Sequence, residues 1–153
     1  MKSSSKARSK GKSKDGARDD LSRRLRALEI QPSAQRMAIA HFVLQSAQHP
    51  SADDVFNAVE RALPMVSRAT VYNTLNLFVE RGLLRELWLA EGKVVFDPKL
   101  DRHHHFLDES TGAIHDIPWD ALDVAKVEAL DGYDVREFQV VLRGTRKPRP
   151  AGD

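Results

Sequence analysis

The chain has 153 residues, a hydrophobic share of 41% and a net charge of only +2, enough apolar side chain for one compact domain or two small ones and too much for a wholly disordered polymer. It contains no cysteine, which excludes disulfides, thiolate nucleophiles and all-thiolate zinc, so any metal must be held by His, Asp or Glu. No apolar run is long enough for a secretory core or a bilayer span, and the expectation is a cytoplasmic protein with no membrane partner.

Residues 1–18 are rich in Ser, Lys and Gly and carry Lys2, Lys6, Arg8, Lys10, Lys12, Lys14 and Arg18. With almost nothing to bury, this stretch reads as a disordered basic tail, either solubilising or able to track phosphates. Leu21, Leu25 and Leu28 begin the apolar stripe of a first helix. After Pro32 and Ser33 a second helix is predicted from Ala34 to Leu44. A third is signposted by Ser51 as its cap and by Asp53 and Asp54 in its first turn, with Val55, Val59 and Ala62 inward and Pro64 as the stop. Ser67 can cap a fourth helix, Arg68 to Arg81, with Val71, Leu75 and Phe78 buried and Gly82 as a left-handed terminator.

The outward side of that fourth helix carries Arg68, Tyr72, Asn73 and Asn76. Guanidinium, phenol and carboxamide suit phosphate and base-edge contacts, and with Arg36 of the second helix these are the candidate DNA-binding residues. Tyr72 could be a packed aromatic instead, but its place opposite the Val71, Leu75 and Phe78 stripe argues otherwise. Two β-prone runs follow, Leu84 to Leu89 and Lys93 to Asp97, joined through Ala90-Glu91-Gly92. Helices, a polar-faced helix and a hairpin describe a winged helix-turn-helix over residues 19–98, although a helical domain with an incidental hairpin fits the pattern as well.

His103, His104 and His105 come next. On a strand His103 and His105 point to one face. Together with His49, Asp97 and Asp116 they offer three imidazoles and two carboxylates, a ligand set suited to divalent manganese, iron or zinc. Three adjacent histidines alone could also be a solvated strand edge, and His41 and His115 read as surface or satisfied core histidines. A helix is predicted after Pro118, with Asp120, Asp123 and Glu128 on its exposed side. Phe106, Ile114, Trp119, Val135, Phe138, Val140 and Leu142 are the candidate core or interface residues of a unit spanning 99–147, followed by a flexible tail at 148–153. A mononuclear metallohydrolase could use the same His and Asp cluster, but no distinct general base or phosphate loop accompanies it.

The runs His49-Pro50-Ser51-Ala52-Asp53-Asp54 and Ser67-Arg68-Ala69-Thr70-Val71-Tyr72-Asn73-Thr74-Leu75, then Gly82-Leu83-Leu84, Asp97 and the triple histidine, resemble the ferric uptake regulator (Fur) family of bacterial repressors. The likeness covers most of residues 20 to 147 and divides between peroxide-responsive repressors and iron response regulators. It implies an α+β protein, an N-terminal winged helix-turn-helix followed by a small α/β dimerisation domain, acting as a homodimeric metal-dependent repressor on double-stranded operator DNA and not as an enzyme. By the same likeness one divalent metal per subunit, Mn²⁺, Fe²⁺ or Zn²⁺, would be held between the domains by His49, Asp97, His103, His105 and Asp116. Tyr72 would read bases, with Arg68 and Asn73 as neighbours. On the peroxide-responsive branch His49 and His103 would be the oxidation-sensitive positions.

Departures from the family pattern matter equally. Asp108 and Thr111 stand where many members have a first CxxC pair, so a structural zinc held by four cysteines is not expected. Gln31 and Ala34 replace frequent arginines. His104 and Asp123 could belong to a second site, but Phe138 stands where a further histidine would be needed. On the iron-response branch His103 to His105 would meet haem, and the Cys-Pro haem motif is absent.

Overall fold

The computed structural model describes residues 14–89 and 92–148. Four helices, α1 (Lys14–Ala27), α2 (Ala34–Gln45), α3 (Ala52–Glu60) and α4 (Arg68–Glu80), precede a two-stranded wing, β1 (Arg85–Trp88) and β2 (Val94–Asp97). A second sheet follows, built from β3 (His103–Asp108), β4 (Ile114–Pro118) and β5 (Val141–Gly144) in the order β4-β3-β5, with β4 antiparallel and β5 parallel to β3. The winged helix-turn-helix and the small sheet domain expected from the sequence are both present.

Local chemistry explains the helix limits. Ser51 and Asp54 form a reciprocal capping box on α3, and the Ser67 side chain accepts from the Thr70 N–H at the start of α4. Two helices end alike. In α4 the Leu83 N–H reaches the Phe78 carbonyl and the Gly82 N–H that of Val79, with Gly82 at φ 76°. In α1 the Ile30 N–H reaches the Leu25 carbonyl and the Glu29 N–H that of Arg26, with Glu29 at φ 57°. Both are Schellman endings, and both bury the following side chain, Leu83 and Ile30, in the core. That core is continuous from Leu25 through Ile39, Val43, Val55, Val71, Leu75 and Phe78 to Phe96 of the wing. Truncating Phe78 there to alanine would cost about 3–5 kcal/mol.

Three expectations need correction. Helix α1 begins at Lys14, inside the stretch read as disordered, with Asp15 in its first turn where an acid complements the helix dipole. Residues 1–13 and 149–153 lie outside the described ones, as do Ala90 and Glu91 of the wing turn. Ala62 lies past the end of α3 and is exposed. After Pro118 only a single 3₁₀ turn forms, Trp119–Ala121, and no helix carries Asp120, Asp123 and Glu128. Lys126 adopts φ 67°, which breaks a helix there, and Leu130 and Tyr133 stay exposed, so no core contact offsets the cost of nucleating a short helix. Of the candidate core or interface residues of this unit, Ile114 is buried, Phe106, Trp119, Val135, Phe138 and Val140 are half-buried and Leu142 is exposed.

Candidate functional site

Strand alternation builds a two-sided site. On β2 and β1 the pairs Arg85 with Asp97 and Leu87 with Val95 share one face. On the second sheet His105 pairs with Asp116 and Leu107 with Ile114, so His103, His105, Leu107, Ile114 and Asp116 share a face. The two faces meet. His49 is delivered from the loop before α3, where the Phe96 N–H bonds the Pro50 carbonyl and so lays that loop along β2. Its backbone is left-handed at φ 42°, a conformation costing a non-glycine residue about 1–3 kcal/mol and found where a side chain must be aimed.

The result is a cluster in which one ligand atom each from His49, Asp97, His103, His105 and Asp116 lies within 4.8 Å of every other. The Asp97 Oδ2 is 2.8 Å from His103 Nε2, 3.1 Å from His105 Nε2 and 3.2 Å from His49 Nε2; the Asp116 Oδ1 is 2.9 Å from His49 Nε2. Around an ion with bonds of about 2.1 Å, neighbouring ligand atoms are separated by about 3 Å and opposed ones by about 4.2 Å, so these spacings fit with small adjustments. Four of the five residues are 6% exposed or less, and Asp116 alone reaches solvent. A groove lined by Leu87, Leu100, Glu137 and Gln139 leads to Asp97, His103 and His105.

Supporting contacts prepare the donors. His103 Nδ1 lies 2.6 Å from the Asp101 carbonyl, which can only accept, so the proton is on Nδ1 and Nε2 faces the cluster. The Lys99 N–H donates to Asp97 Oδ1 at 2.8 Å. Both ring nitrogens of His49 and the Nδ1 of His105 are buried with no hydrogen-bond partner. A buried imidazole whose Nε2 has carboxylate oxygens beside it and no hydrogen bond of its own is one that a bound cation would satisfy. Burial is the largest influence on Asp97 and would raise its pKa, yet the His105 contact, the close His49 imidazole and the Lys99 N–H together outweigh it and hold the carboxyl far below the ordinary range. For His49 burial again acts first, lowering the pKa, and the close carboxylates of Asp97 and then Asp116 reverse it to a net rise.

The remaining motifs separate cleanly. His104 points to the opposite face, stacked on Trp119 at 4.5 Å with its Nδ1 accepting the Val140 N–H at 3.1 Å, which leaves it a structural pin for β5. Asp108, at the first lost cysteine position, accepts from the Ser110 N–H at 2.9 Å and the Ser110 hydroxyl at 2.5 Å, so hydrogen bonds close the β3–β4 turn. On α4 Arg68, Tyr72, Asn73 and Asn76 are all exposed, Tyr72 by 46%. Arg68 is engaged within the chain, 2.5 Å from Asp53 and with its guanidinium 4.4 Å from the Phe56 ring. Arg36 bonds the Gln31 carbonyl at 3.0 Å and lines a shallow groove with Asn73. Sequence reasoning missed Lys99 and Asp101; the Asp97-Pro98-Lys99 run, an aspartate turn signal, could have revealed the first. It also missed Trp88, 67% exposed and bordering one groove with Tyr72 and Asn76.

Residues 28–143 match the model of the Ferric uptake regulator family. The "Peroxide operon regulator" of Bacillus subtilis is 34% identical over 122 residues, 78% of this chain and 84% of that protein. Among solved structures, the ferric uptake regulator of Pseudomonas aeruginosa with manganese is similar at TM-score 0.64 and 25% identity, covering 84% of this chain and 98% of that one. The Vibrio cholerae ferric uptake regulator shares the fold at TM-score 0.68 and 22% identity, covering 82% and 98%. With three quarters of its length matched by the family model, the chain belongs to the ferric uptake regulator family.

Proposed function

We propose that this chain is a metal-dependent transcriptional repressor that binds operator DNA as a homodimer, with the five-residue cluster as its switch. One observation carries the reading: His49 and Asp97 come from the winged helix, whereas His103, His105 and Asp116 come from the second sheet, so the ligand set straddles both domains. A divalent cation there would supply the charge that three buried imidazoles and two carboxylates are arranged to neutralise, joining the two domains. His49 and Asp97 would then fix the direction of α4, and in a dimer that direction sets the spacing of two recognition helices against successive major grooves. Tyr72, Asn73 and Asn76 are free to meet bases and phosphates, while Arg68 and Arg36 would exchange their internal partners for phosphate.

Support for the dimer comes from the second domain, where β5 is a sheet edge and Leu130, Tyr133 and Leu142 are exposed by 51%, 75% and 37%. A haem reading is disfavoured by burial, since His103, His104 and His105 are 4% exposed or less and all engaged. A hydrolase reading is disfavoured because it leaves the exposed polar face of α4, with Arg68, Tyr72, Asn73 and Asn76, without a role. No described helix is long and apolar enough to cross a membrane.

The test is an anaerobic titration of Mn²⁺ and Fe²⁺ into metal-free protein, reading binding to an operator recovered by in vitro selection, before and after a peroxide pulse. Metal-dependent binding is expected with both ions. Loss after peroxide from the ferrous form alone assigns the peroxide signal; indifference of both forms assigns metal level; binding without metal overturns the proposal.

A further inference from the structure

The interface that holds the ligands has a second, apolar half. Leu87 and Leu89 of the wing and Val95 of β2 form one buried cluster with Ile114 of β4, against which Leu107 and Val141 pack. It is separate from the helical core, because alternation turns Val94 and Phe96 inward to the helices and turns Leu87 and Val95 toward the second sheet. Leu87 and Val95 are each 1% exposed, Leu89 7% and Ile114 8%. These side chains are buried because the two sheets meet, so separating the domains would return them to water. On the flank Arg85 reaches Glu137 at 2.5 Å, an exposed pair that favours register more than it adds energy.

We infer that Leu87, Val95 and Ile114 are positioning residues that set the threshold of the metal switch, because the apolar seam closes the domains in the one arrangement that brings His49 and Asp97 to His103, His105 and Asp116. The inference rests on the reading of the cluster as a metal switch. Closure and metal binding are then linked: whatever shifts the chain toward the separated state lowers its apparent metal affinity by the same population factor, without touching a ligand. The seam therefore tunes how much metal is needed, and the ligands decide which metal is held.

The experiment compares the full chain with Ile114→Val, Val95→Ala and a control, Val59→Ala, which truncates a buried side chain in the helical core away from the seam. Mn²⁺ affinity without DNA is read from the free-ion EPR signal, and operator binding is read across a Mn²⁺ titration. Ile114→Val removes one methylene, too little to prevent folding, and is expected to weaken Mn²⁺ affinity by about two- to tenfold, with Val95→Ala weakening it further. Saturating Mn²⁺ should restore operator affinity to within about threefold, as expected when only the competent fraction has changed. The control should titrate like the unmodified chain. Seam variants that bind Mn²⁺ as tightly as the unmodified chain, or a control that weakens equally, overturn the inference. Operator binding that ignores Mn²⁺ in the unmodified chain overturns instead the switch reading, while the DNA-free affinities still decide the seam.

Discussion

Asp97→Asn tests the centre of the cluster with a near-isosteric change. The carboxamide keeps the volume and an oxygen for the Lys99 N–H, now 2.8 Å away, but loses the charge that faces His49, His103 and His105 within 3.2 Å. Partners that merely orient a ligand are worth about 10–100-fold in metal affinity, so removing an anionic ligand should cost at least about 100-fold, or about 2.7 kcal/mol. Mn²⁺ affinity measured by competition against a chelator reads this directly, with a far-UV melt showing that the variant still unfolds cooperatively. The same substitution has a pH signature without metal. Because the folded carboxyl titrates far below its unfolded value of about 4, its contribution to stability is present above that value and lost as pH falls. The Asp97→Asn variant should therefore show a flatter acid limb in its stability curve. Mn²⁺ affinity within about threefold of the unmodified chain would refute a role for Asp97 as a ligand.

Other expectations concern the DNA side and the scaffold. Tyr72→Ala should lower affinity for the selected operator by about 1–3 kcal/mol while leaving random-sequence DNA nearly unchanged, since base contacts specify and phosphate contacts position; equal losses on both in a competition assay would remove Tyr72 from base reading. Deleting residues 1–13 removes Lys2, Lys6, Arg8, Lys10 and Lys12, and each one that meets a phosphate should reduce the salt slope of operator binding by about 0.9; an unchanged slope would make the segment passive. Ser51→Ala breaks the capping box and should cost about 1 kcal/mol in denaturant melts. The part of that loss carried by the Ser51 hydroxyl on Asp54 Oδ2, the first cause of the lowered Asp54 pKa, should be present above about pH 4 and fade as pH falls below it, while the part from the Asp54 N–H on Ser51 Oγ persists.

The helical half was legible because its signals are local. Caps at Ser51 and Ser67, the Gly82 terminator and the Val71, Leu75, Phe78 stripe act within one or two turns, and each forms as the sequence indicates. The pairing of His103 with His105 on one face followed from strand alternation alone. What was not legible is how far the sheet face extends. Nothing near Leu87 or Ile114 announces that they meet, since sheet-on-sheet contact depends on the placement of whole domains. The absent helix after Pro118 has the opposite cause: Asp120, Asp123 and Glu128 supply a polar side but Val124, Leu130 and Tyr133 stay exposed, and a short helix with no buried face is not held. Asp108 in the role of a turn former could not be read from the lost cysteine pattern, because a carboxylate at that position serves either a metal or its own backbone.

The most direct measurement is anomalous diffraction at the manganese edge from crystals of the Mn²⁺-loaded chain. A single strong peak per subunit within bonding distance of His49, Asp97, His103, His105 and Asp116 is the predicted result, with both domains contributing ligands. A peak elsewhere, or one bound by residues of a single domain, would contradict a metal that joins the winged helix to the second sheet.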